Sequence, residues 1–305
     1  MGERNDTSVI EFILLGFSDH PQLQGLISGI VLQIYLISVL GNLVFLMLMC
    51  ADPRLHKPMY FFLSHLSMLD ICCTSITLPK MLACFFTGNQ SISFHACMIQ
   101  QYLSLSLTGT ELFLLSTMAY DRYMAICKPL HYSLIMNKNI CVLLAASSWI
   151  FGFLDALLLA DMVSQLSYCR SNEINHFFCE PSALMKLSCS DTRRLETLIF
   201  IEGTFVGFIP FLITLTSYIF IISTILRIRS TEGRRKAFST CSSHLTSVAL
   251  FYGTILSIYM RPTSMYSPAQ DKLFSLLYTA LIPTLNPIIY SLKNREIQNA
   301  LKRIK

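Results

Sequence analysis

The segment Met118-Ala-Tyr-Asp-Arg-Tyr-Met-Ala-Ile-Cys127 decides the fold of this chain. It places an acid–base pair, Asp121 and Arg122, at the end of the long apolar run 103–119. An Asp-Arg-Tyr triplet also occurs by chance in soluble proteins, so the triplet alone indicates nothing. A charged pair at the mouth of a membrane-length apolar segment is costly, however, and usually has a function. The segment therefore predicts a membrane helix that ends in a functional ion pair.

The composition also favours a membrane protein. Of the 305 residues, 53% are hydrophobic and 13% are charged, with a mean hydropathy of +0.54, whereas about 25% charged residues are usual in soluble domains. A hydrocarbon core of about 30 Å needs roughly 20 apolar residues per helix. Seven stretches meet this need: 24–50, 59–82, 98–121, 140–160, 197–226, 238–260 and 273–292. We therefore expect an all-α membrane protein with a bundle of seven transmembrane helices, because too few charges remain to cover a large soluble protein.

The distribution of positive charge predicts the orientation of the bundle. Lysine and arginine in short loops concentrate on the cytoplasmic side of a membrane. Fifteen of them fall on the side that holds the C-terminus, and eight fall on the opposite side. We expect a multi-pass plasma-membrane protein with an extracellular N-terminus and a cytoplasmic C-terminus. The net charge of +5 then reflects this topology and contact with membrane lipid, and no nucleic-acid partner is expected.

The chain is expected to divide into three parts: an extracellular tail 1–23, a seven-helix domain 24–292, and a cytoplasmic tail 293–305. In the last part, Ile297, Leu301 and Ile304 have the spacing of one helix face and basic neighbours. This pattern predicts a short amphipathic helix on the inner leaflet, with a frayed tail as the alternative. Asn5 begins an Asn-Asp-Thr sequence on the outer tail, where we expect glycosylation.

Four of the eleven cysteines fall on the predicted outer side. They are Cys97, Cys169, Cys179 and Cys189. Disulfides form in the secretory lumen, so these four are candidates for bridges. Four cysteines allow three pairings, and the residues alone do not choose among them.

Short motifs in the predicted helices carry a resemblance to one receptor family. They are Gly41-Asn42, Leu55-His-Lys-Pro-Met-Tyr-Phe-Phe-Leu63, the Met118–Cys127 segment, Ser217-Tyr218, Lys236-Ala-Phe-Ser-Thr-Cys-Ser-Ser-His-Leu245 and Pro283-Thr-Leu-Asn-Pro-Ile-Ile-Tyr290. In this order the chain resembles the tetrapod-type, class II odorant receptors, a branch of the rhodopsin-like G-protein-coupled receptors. The resemblance spans essentially the whole membrane domain. It implies a receptor that binds small, mostly apolar volatile odorants within the bundle and activates a stimulatory olfactory-type G protein, which raises cyclic AMP.

The same resemblance implies a disulfide pairing. In that family one bridge ties the top of the third helix to the second outer loop, which corresponds to Cys97–Cys179. A second bridge lies within the loop and corresponds to Cys169–Cys189.

Residues for coupling and switching are inferred from position together with the resemblance. An arginine side chain stays protonated and can exchange partners, so Arg122 can hold an inactive arrangement with Asp121 and then face an incoming G-protein helix. The candidate set is Asp121, Arg122, Tyr123, Tyr218, His244, Asn286, Pro287 and Tyr290. A static ion pair at the membrane interface is the alternative.

Two acidic residues, Asp70 and Glu111, lie in the middle of predicted helices, where ionised groups are expensive unless they are paired or hydrated. With Asn42 and Asn286 they resemble the polar cluster that binds a sodium ion in many relatives. A hydrated hydrogen-bonded network without a specific ion is the alternative. No other cofactor is expected.

A ligand pocket is inferred from helical spacing combined with the resemblance. Its candidate lining is Ser104, Leu105, Thr108, Gly109, Glu202, Val206, Tyr252, Ile255, Leu256, Tyr259, Leu276 and Thr279. An apolar lining with a few hydroxyls suits small ligands that are held by burial and one or two hydrogen bonds. Glu202 is the unusual member: it is either a hydrogen-bonding or cationic anchor, or a partner for a neighbouring helix or loop residue.

Other functions are disfavoured by what the sequence lacks. A transporter predicts internal repeats and broken helices, and no repeat is visible. An enzyme is not expected, since no His-Glu-x-x-His, Ser-His-Asp or phosphate-binding glycine pattern is present. Ser104 stands where amine receptors carry aspartate and Ala280 where opsins carry the retinal lysine, which argues against both of those receptor types.

Overall fold

The computed structural model describes residues 10–17, 22, 24–169, 171–259 and 267–304, so that the predicted glycosylation site Asn5 lies outside them. Helices dominate these residues. They are α1 (Gln24–Ala51), α2 (Pro58–Thr87), α3 (Phe94–Cys127), α4 (Pro129–Ile135), α5 (Lys138–Ser164), α6 (Pro181–Leu187), α7 (Arg193–Glu202), α8 (Ile209–Arg227), α9 (Thr231–Tyr259), α10 (Pro268–Leu276), α11 (Ile282–Lys293) and α12 (Arg295–Ile304).

Seven helical units of this described part correspond to the seven predicted spans. Two of them are composite, because π-helical segments at Gly203–Phe208 and Leu277–Leu281 join α7 to α8 and α10 to α11. The other units are α1, α2, α3, α5 and α9. Five of the seven are long and apolar enough to cross a membrane by length and composition, namely all except α3 and α9. Serine, threonine and charged residues dilute the apolar content of those two, which complete the seven-helix bundle.

Capping side chains stabilise the first turns of α3 and α5, which begin before the predicted apolar spans. Ser93 caps α3 by accepting a hydrogen bond from the backbone N–H of Ala96 at 3.3 Å. Asn137 caps α5 in the same way, accepting from the N–H of Ile140 at 3.1 Å. Such caps satisfy N–H groups that a helix leaves unpaired at its start. The polar end turns can therefore be helical although they lie outside the apolar stretches.

Helix α3 is central and packs closely on α5 through two glycines. A Cβ atom added to Gly152 would lie 2.5 Å from the backbone nitrogen of Thr110 and 2.7 Å from the carbonyl oxygen of Ser106. A Cβ atom added to Gly109 would lie 3.3 Å from the Cα atom of Gly152. The assignment of Gly109 to the ligand pocket is therefore corrected: this residue lets two helices approach each other.

A small three-stranded sheet, not expected from the sequence, lies at the end of the bundle that the charge distribution predicts to be extracellular; we call this end the outer end and the opposite one the inner end. Its strands are β1 (Glu11–Leu14), β2 (Ser91–Ser93) and β3 (Glu173–Ile174), in the order β2–β1–β3. Strand β1 is antiparallel to β2, with Phe12 opposite Ile92, and parallel to β3, with Ile13 opposite Glu173. The N-terminal tail thus supplies the central strand of this sheet. We call the three strands and the loop that carries Cys169, Cys179 and Cys189 the lid.

Both disulfides implied by the resemblance are present in the lid. Cys97, near the start of α3, is bonded to Cys179, and Cys169 is bonded to Cys189. The first bridge is completely buried in an apolar cluster that also holds Phe12. The lid is therefore joined covalently to the bundle and hydrogen-bonded to the N-terminal tail.

Candidate functional site

The predicted ion pair lies buried at the inner end of α3. Nη2 and Nε of Arg122 donate to Oδ2 of Asp121 at 2.5 and 3.1 Å. The other oxygen of Asp121, Oδ1, accepts a hydrogen bond from the hydroxyl of Tyr132 at 2.8 Å. Tyr132 stands on α4, which begins at Pro129, directly after α3 ends. Both carboxylate oxygens are thus engaged, and the short helix α4 helps to hold the arginine in its present arrangement.

Beside this pair an inner cavity of about 720 Å³ opens among α2, α3, α4, α9 and α12. Its lining consists of Lys57, Pro58, Met59, Tyr60, Arg122, Ala125, Tyr132, Glu232, Arg235, Ser239, Ser243, Asn294 and Glu296. The wall carries three basic and two acidic side chains together with Pro58, Met59 and Ala125, so it combines charges of both signs with apolar surface.

Polar contacts that were not predicted from the sequence attach helix α12 to the loop between α1 and α2 and to the first turn of α2. Nζ of Lys57 donates to the two carboxylate oxygens of Glu296 at 2.7 and 2.8 Å, and the hydroxyl of Tyr60 donates to Glu296 at 2.8 Å. Arg303 donates to Asp52 at 2.7 Å. We call the contacts of Lys57 and Tyr60 with Glu296 the inner clasp.

The apolar stripe of α12 is divided between the interior of the bundle and its surface. Ile297 and Ala300 are buried in a large apolar cluster that also contains Leu66 and Leu115 and is called the central core, whereas Leu301 is partly exposed. The side chain of Ile304 lies outside the described residues. The predicted amphipathic helix is present, but only Leu301 of its predicted stripe is seen to be available to lipid.

Polar residues of the fifth, sixth and seventh helical units form a second inner group. The hydroxyl of Tyr218 lies 2.6 Å from Nδ1 of His244, and both side chains are buried. Tyr290 is also buried, and its hydroxyl lies beside that of Ser247. His244 therefore bonds to Tyr218 rather than directly to Arg122.

Two other predicted switch residues have packing contacts. Tyr123 is half-buried and its ring packs against that of Phe220, with centroids 5.9 Å apart. Pro287 lies beside Gly41, where an added Cβ atom would be 3.3 Å from Cγ of the proline. These contacts join α3 to α8 and α11 to α1, so any movement of these helices changes them.

The mid-membrane cluster is built around Asp70. Nδ2 of Asn286 donates to both oxygens of Asp70 at 3.1 Å, and Nδ2 of Asn42 donates to the carbonyl oxygen of Pro283 at 3.0 Å. The amide oxygens of Asn42 and Asn286 are buried and have no hydrogen-bond partner among the described residues. Glu111, buried on α3, lies close enough for its charge to interact with that of Asp70. Carboxylate and amide oxygens are the ligands that hard cations prefer.

The residues predicted to line a ligand pocket fall into neighbouring apolar clusters. Val206, Tyr252 and Ile255 belong to the central core, and Ile255 also contacts the cluster that contains Leu276. Leu105 packs into the outer cluster beneath the lid. Ile255 thus packs against both the cluster of Val206 and Tyr252 and that of Leu276, whereas Leu105 lies in a separate cluster.

Three predicted hydroxyl residues are buried or half-buried, and two of them bond to their own helix. Oγ1 of Thr108 donates to the carbonyl oxygen of Ser104 at 2.9 Å. Oγ1 of Thr279 donates to that of Ser275 at 2.7 Å. The hydroxyl of Tyr252 is buried beside that of Thr214.

Leu256 is not placed with these residues. It is 41% exposed and shares the outward face of α9 with Gly253 and Ala249, so its assignment to the pocket was wrong. Helical spacing alone could not separate Ile255 from Leu256. Adjacent residues of a helix point in directions about 100° apart, so one side chain packs inward while the next is exposed. The side chain of Tyr259 lies outside the described residues.

Glu202 has a neighbour that sequence reasoning missed. Its Oε1 atom is buried without a hydrogen-bond partner among the described residues, and Asp155 of α5 is close enough for the two charges to interact. An aspartate within the apolar stretch 140–160 was the available signal, because acidic residues in membrane helices are expensive. Two facing carboxyl groups disfavour two negative charges at this position.

These features define a helical multi-pass membrane bundle with a cross-linked outer lid and an arginine-walled inner cavity, the arrangement of a membrane receptor. A family model described as "Olfactory receptor" matches residues 31–305. The chain belongs to the olfactory receptor family, a family of receptors rather than enzymes.

Similar proteins agree over nearly the whole chain. It is 50% identical to Olfactory receptor 8U3 of Mus musculus over 303 residues, which cover 99% of this chain and 95% of the mouse protein. It is 49% identical to Olfactory receptor-like protein OLF1 of Canis lupus familiaris, over 98% of this chain and 96% of the dog protein. It is 46% identical to Olfactory receptor 2G3 of Homo sapiens, over 100% and 98% of the two chains.

Proposed function

We propose that this protein is an odorant receptor that couples to a stimulatory heterotrimeric G protein of the olfactory type and raises cyclic AMP. The observation that carries the proposal is the inner cavity of about 720 Å³, whose wall includes Arg122. A cavity of this size, whose wall combines apolar surface with charges of both signs, suits the end of an amphipathic helix from an intracellular protein.

The ligand end of the bundle suits small volatile molecules of low polarity. The clusters that contain Ile255 and Leu105 supply apolar surface, and Tyr252 supplies a buried hydroxyl. Burial of apolar area contributes about 25 cal/mol per Å², so a small odorant can bind through burial with one or two hydrogen bonds.

Activation changes the partners of Arg122. In the present arrangement two hydrogen bonds tie its guanidinium to Asp121, and Tyr132 supports that carboxylate. An outward movement of α9 carries His244 away from Tyr218 and widens the cavity. Arg122 then exchanges Asp121 for groups of the incoming helix, which an arginine does readily because it stays charged in both states.

The orientation belongs to the same proposal. The N-terminal strand and both disulfides lie at one end of the bundle, and disulfides form in the secretory lumen. The excess of lysine and arginine lies at the other end, which the positive-inside rule assigns to the cytoplasm. We therefore assign the receptor to the plasma membrane with its N-terminus outside.

A sodium ion fits the oxygen groups of the mid-membrane cluster. Asp70 supplies a carboxylate, and the amide oxygens of Asn42 and Asn286 are buried without a partner among the described residues. When bound, the cation balances a buried negative charge. The hydrated network without a specific ion remains the competing arrangement for the same residues.

A cyclic AMP reporter assay of Arg122→Ala tests the proposed coupling. Odorants that activate the wild-type chain should raise cyclic AMP, and Arg122→Ala should abolish that response while the amount of receptor at the cell surface stays near normal. Arg193→Ala is a matched control, because Arg193 is an exposed arginine at the outer end of the bundle. An unchanged dose response in Arg122→Ala would refute the role of the inner site.

A further inference from the structure

Two consecutive glutamines on α3, Gln100 and Gln101, are both buried but differ in their hydrogen bonds. Nε2 of Gln100 donates to the carbonyl oxygen of Ile76 at 2.9 Å, and its Oε1 accepts from the N–H of Cys179 at 3.0 Å. Gln101 is 0% exposed, and neither its Nε2 nor its Oε1 has a hydrogen-bond partner among the described residues. The amide of Gln100 thus anchors the lid to α2 and α3. The amide of Gln101 makes no hydrogen bond within the part of the chain that the structure describes.

An amide in the state of Gln101 is destabilising by itself. Nearly all buried polar groups in proteins have a partner, and a buried group without one requires an explanation. An apolar side chain of similar shape would remove the cost of burying the donor and the acceptor. The amide is therefore best explained by a molecule that completes its hydrogen bonds when it binds.

The position of Gln101 on α3 indicates what kind of molecule completes its hydrogen bonds. It lies four residues after Cys97 and four before Leu105, so the three share one face of α3. Cys97 is bonded to Cys179 of the lid, and Leu105 packs into the outer apolar cluster with Leu198 of α7. Gln101 therefore lies directly beneath the lid, at the edge of an apolar cluster.

We propose that Gln101 binds the oxygen-bearing end of the ligand, an inference that rests on the proposed odorant-receptor function. Its N–H group donates to a carbonyl or ether oxygen, and its carbonyl oxygen accepts from a hydroxyl. The ligand class is therefore a small neutral alcohol, aldehyde, ketone or ester whose apolar part packs near Leu105.

Glu202 is a weaker candidate for the same role. It is only half-buried, and Asp155 faces it from α5, so its carboxyl group already has a polar neighbour. Gln101 is completely buried, and Cys97 and Leu105, one turn away from it on either side along α3, contribute to the outer apolar cluster. A ligand oxygen gains more from a hydrogen bond in such surroundings, because water does not compete there.

The test compares Gln101→Met with the wild-type receptor in a cyclic AMP assay. The panel contains 1-octanol, octanal, 2-octanone and ethyl hexanoate as oxygenated probes and limonene as a hydrocarbon probe. Methionine keeps the approximate shape and removes both unpartnered groups. We expect unchanged surface display, a thermal midpoint at least as high as that of the wild type, and an increase of about tenfold in the half-maximal concentration of the oxygenated agonists. The response to limonene, where the wild type has one, should not change.

Gln100→Met is the matched control, because it removes a glutamine amide whose bonds are made. It should lower surface display or the thermal midpoint, since it leaves the N–H of Cys179 and the carbonyl oxygen of Ile76 without their partner. Gln101→Leu repeats the test with a second apolar side chain. Loss of display in both Gln101 variants would overturn the proposal, since it would reveal a structural partner.

The remaining outcomes separate this inference from the proposed function. If the wild-type receptor responds to oxygenated probes and Gln101→Met responds equally, the inference fails and the receptor function stands. If only the hydrocarbon activates the wild type, the proposed ligand class is wrong. If the wild type is displayed but responds to no odorant in this or a broader panel, the proposed function fails, and the inference fails with it.

Discussion

The outer and inner ends of this bundle are held together in different ways. The outer end has two disulfides, a three-stranded sheet and buried aromatic side chains such as Phe12. The inner end is held by ion pairs and hydrogen bonds around a cavity, with Arg122 in its wall. Covalent and sheet contacts resist movement, whereas a charged pair can exchange one partner for another. Under the proposed function, the rigid end retains the ligand and the movable end signals.

The largest expected effect is the loss of a bridge at the outer end. Cys97–Cys179 spans 82 residues and Cys169–Cys189 spans 20, which corresponds to about 4.5 and about 3 kcal/mol of unfolded-chain entropy. Cys179→Ser should therefore abolish surface display, and Cys189→Ser should reduce it less. Surface labelling of the two variants checks the order. Equal display of both variants and the wild type would mean that the outer end does not depend on its bridges.

The second-largest expected effect is a rise in basal cyclic AMP when the ion pair at the inner end is weakened. Tyr132→Phe removes the hydroxyl that supports Asp121, and a hydrogen bond to a charged group contributes about 1.5–3 kcal/mol. We expect higher basal cyclic AMP at unchanged surface display, because Arg122 is released more easily. A matched control is Tyr102→Phe, which removes a hydroxyl on the outer half of α3 that donates to Phe153. Basal signalling that rises equally in both variants would contradict a specific role of the inner pair.

A third effect concerns the pH dependence of the lid. Burial, and then the charge of Lys272, lowers the pKa of His176 from 6.5 to about 3. Between these values the unfolded lid binds a proton that the folded lid does not, so the folded lid loses stability as the pH falls below about 6.5. At pH 5 the loss is about 2 kcal/mol.

The measurement is the thermal midpoint of purified receptor at pH 7 and at pH 5. The wild type should be less stable at pH 5, and His176→Gln, which does not titrate, should lose most of that difference. Buried Glu180 acts in the opposite direction, because burial raises its pKa and the folded lid then binds the extra proton. An identical pH dependence in wild type and His176→Gln would exclude His176 as its source.

The smallest effect is expected from the inner clasp. Lys57 and Glu296 are each about half-exposed, and exposed ion pairs typically contribute about 0.2–1 kcal/mol. Glu296→Lys should weaken agonist-dependent cyclic AMP modestly, by disturbing α12 at the cavity wall. Lys57→Glu combined with Glu296→Lys should restore the response in part. A double variant that is no better than either single variant would show that the ion pair has no role.

Apolar length was sufficient to predict the seven helical units, because the membrane requires about 20 apolar residues in each. The ion pair between Asp121 and Arg122 could also be predicted, because two opposite charges stand next to each other at the end of an apolar segment. The hydrogen bond from Tyr132 to Asp121 could not be predicted, because Tyr132 reaches Asp121 only after the chain turns at Pro129.

Contacts between distant residues were the part that the sequence could not predict. Lys57 and Glu296 are 239 residues apart, and nothing local to either residue indicates the other. Strand β1 is only four residues long, and its edges are completed by loops from two other parts of the chain. Leu256 was misplaced because a small error in helix rotation reverses the face of a side chain.

A distance measurement on the activated receptor distinguishes the two ends most clearly. Spin labels at positions 128 and 234 report the separation of the inner ends of α3 and α9, and labels at 89 and 173 report the lid. On addition of an odorant agonist with G protein, we expect the inner distance to increase by several ångströms and the lid distance to stay unchanged. An inner distance that stays fixed while the lid distance changes would contradict the assignment of the movable end.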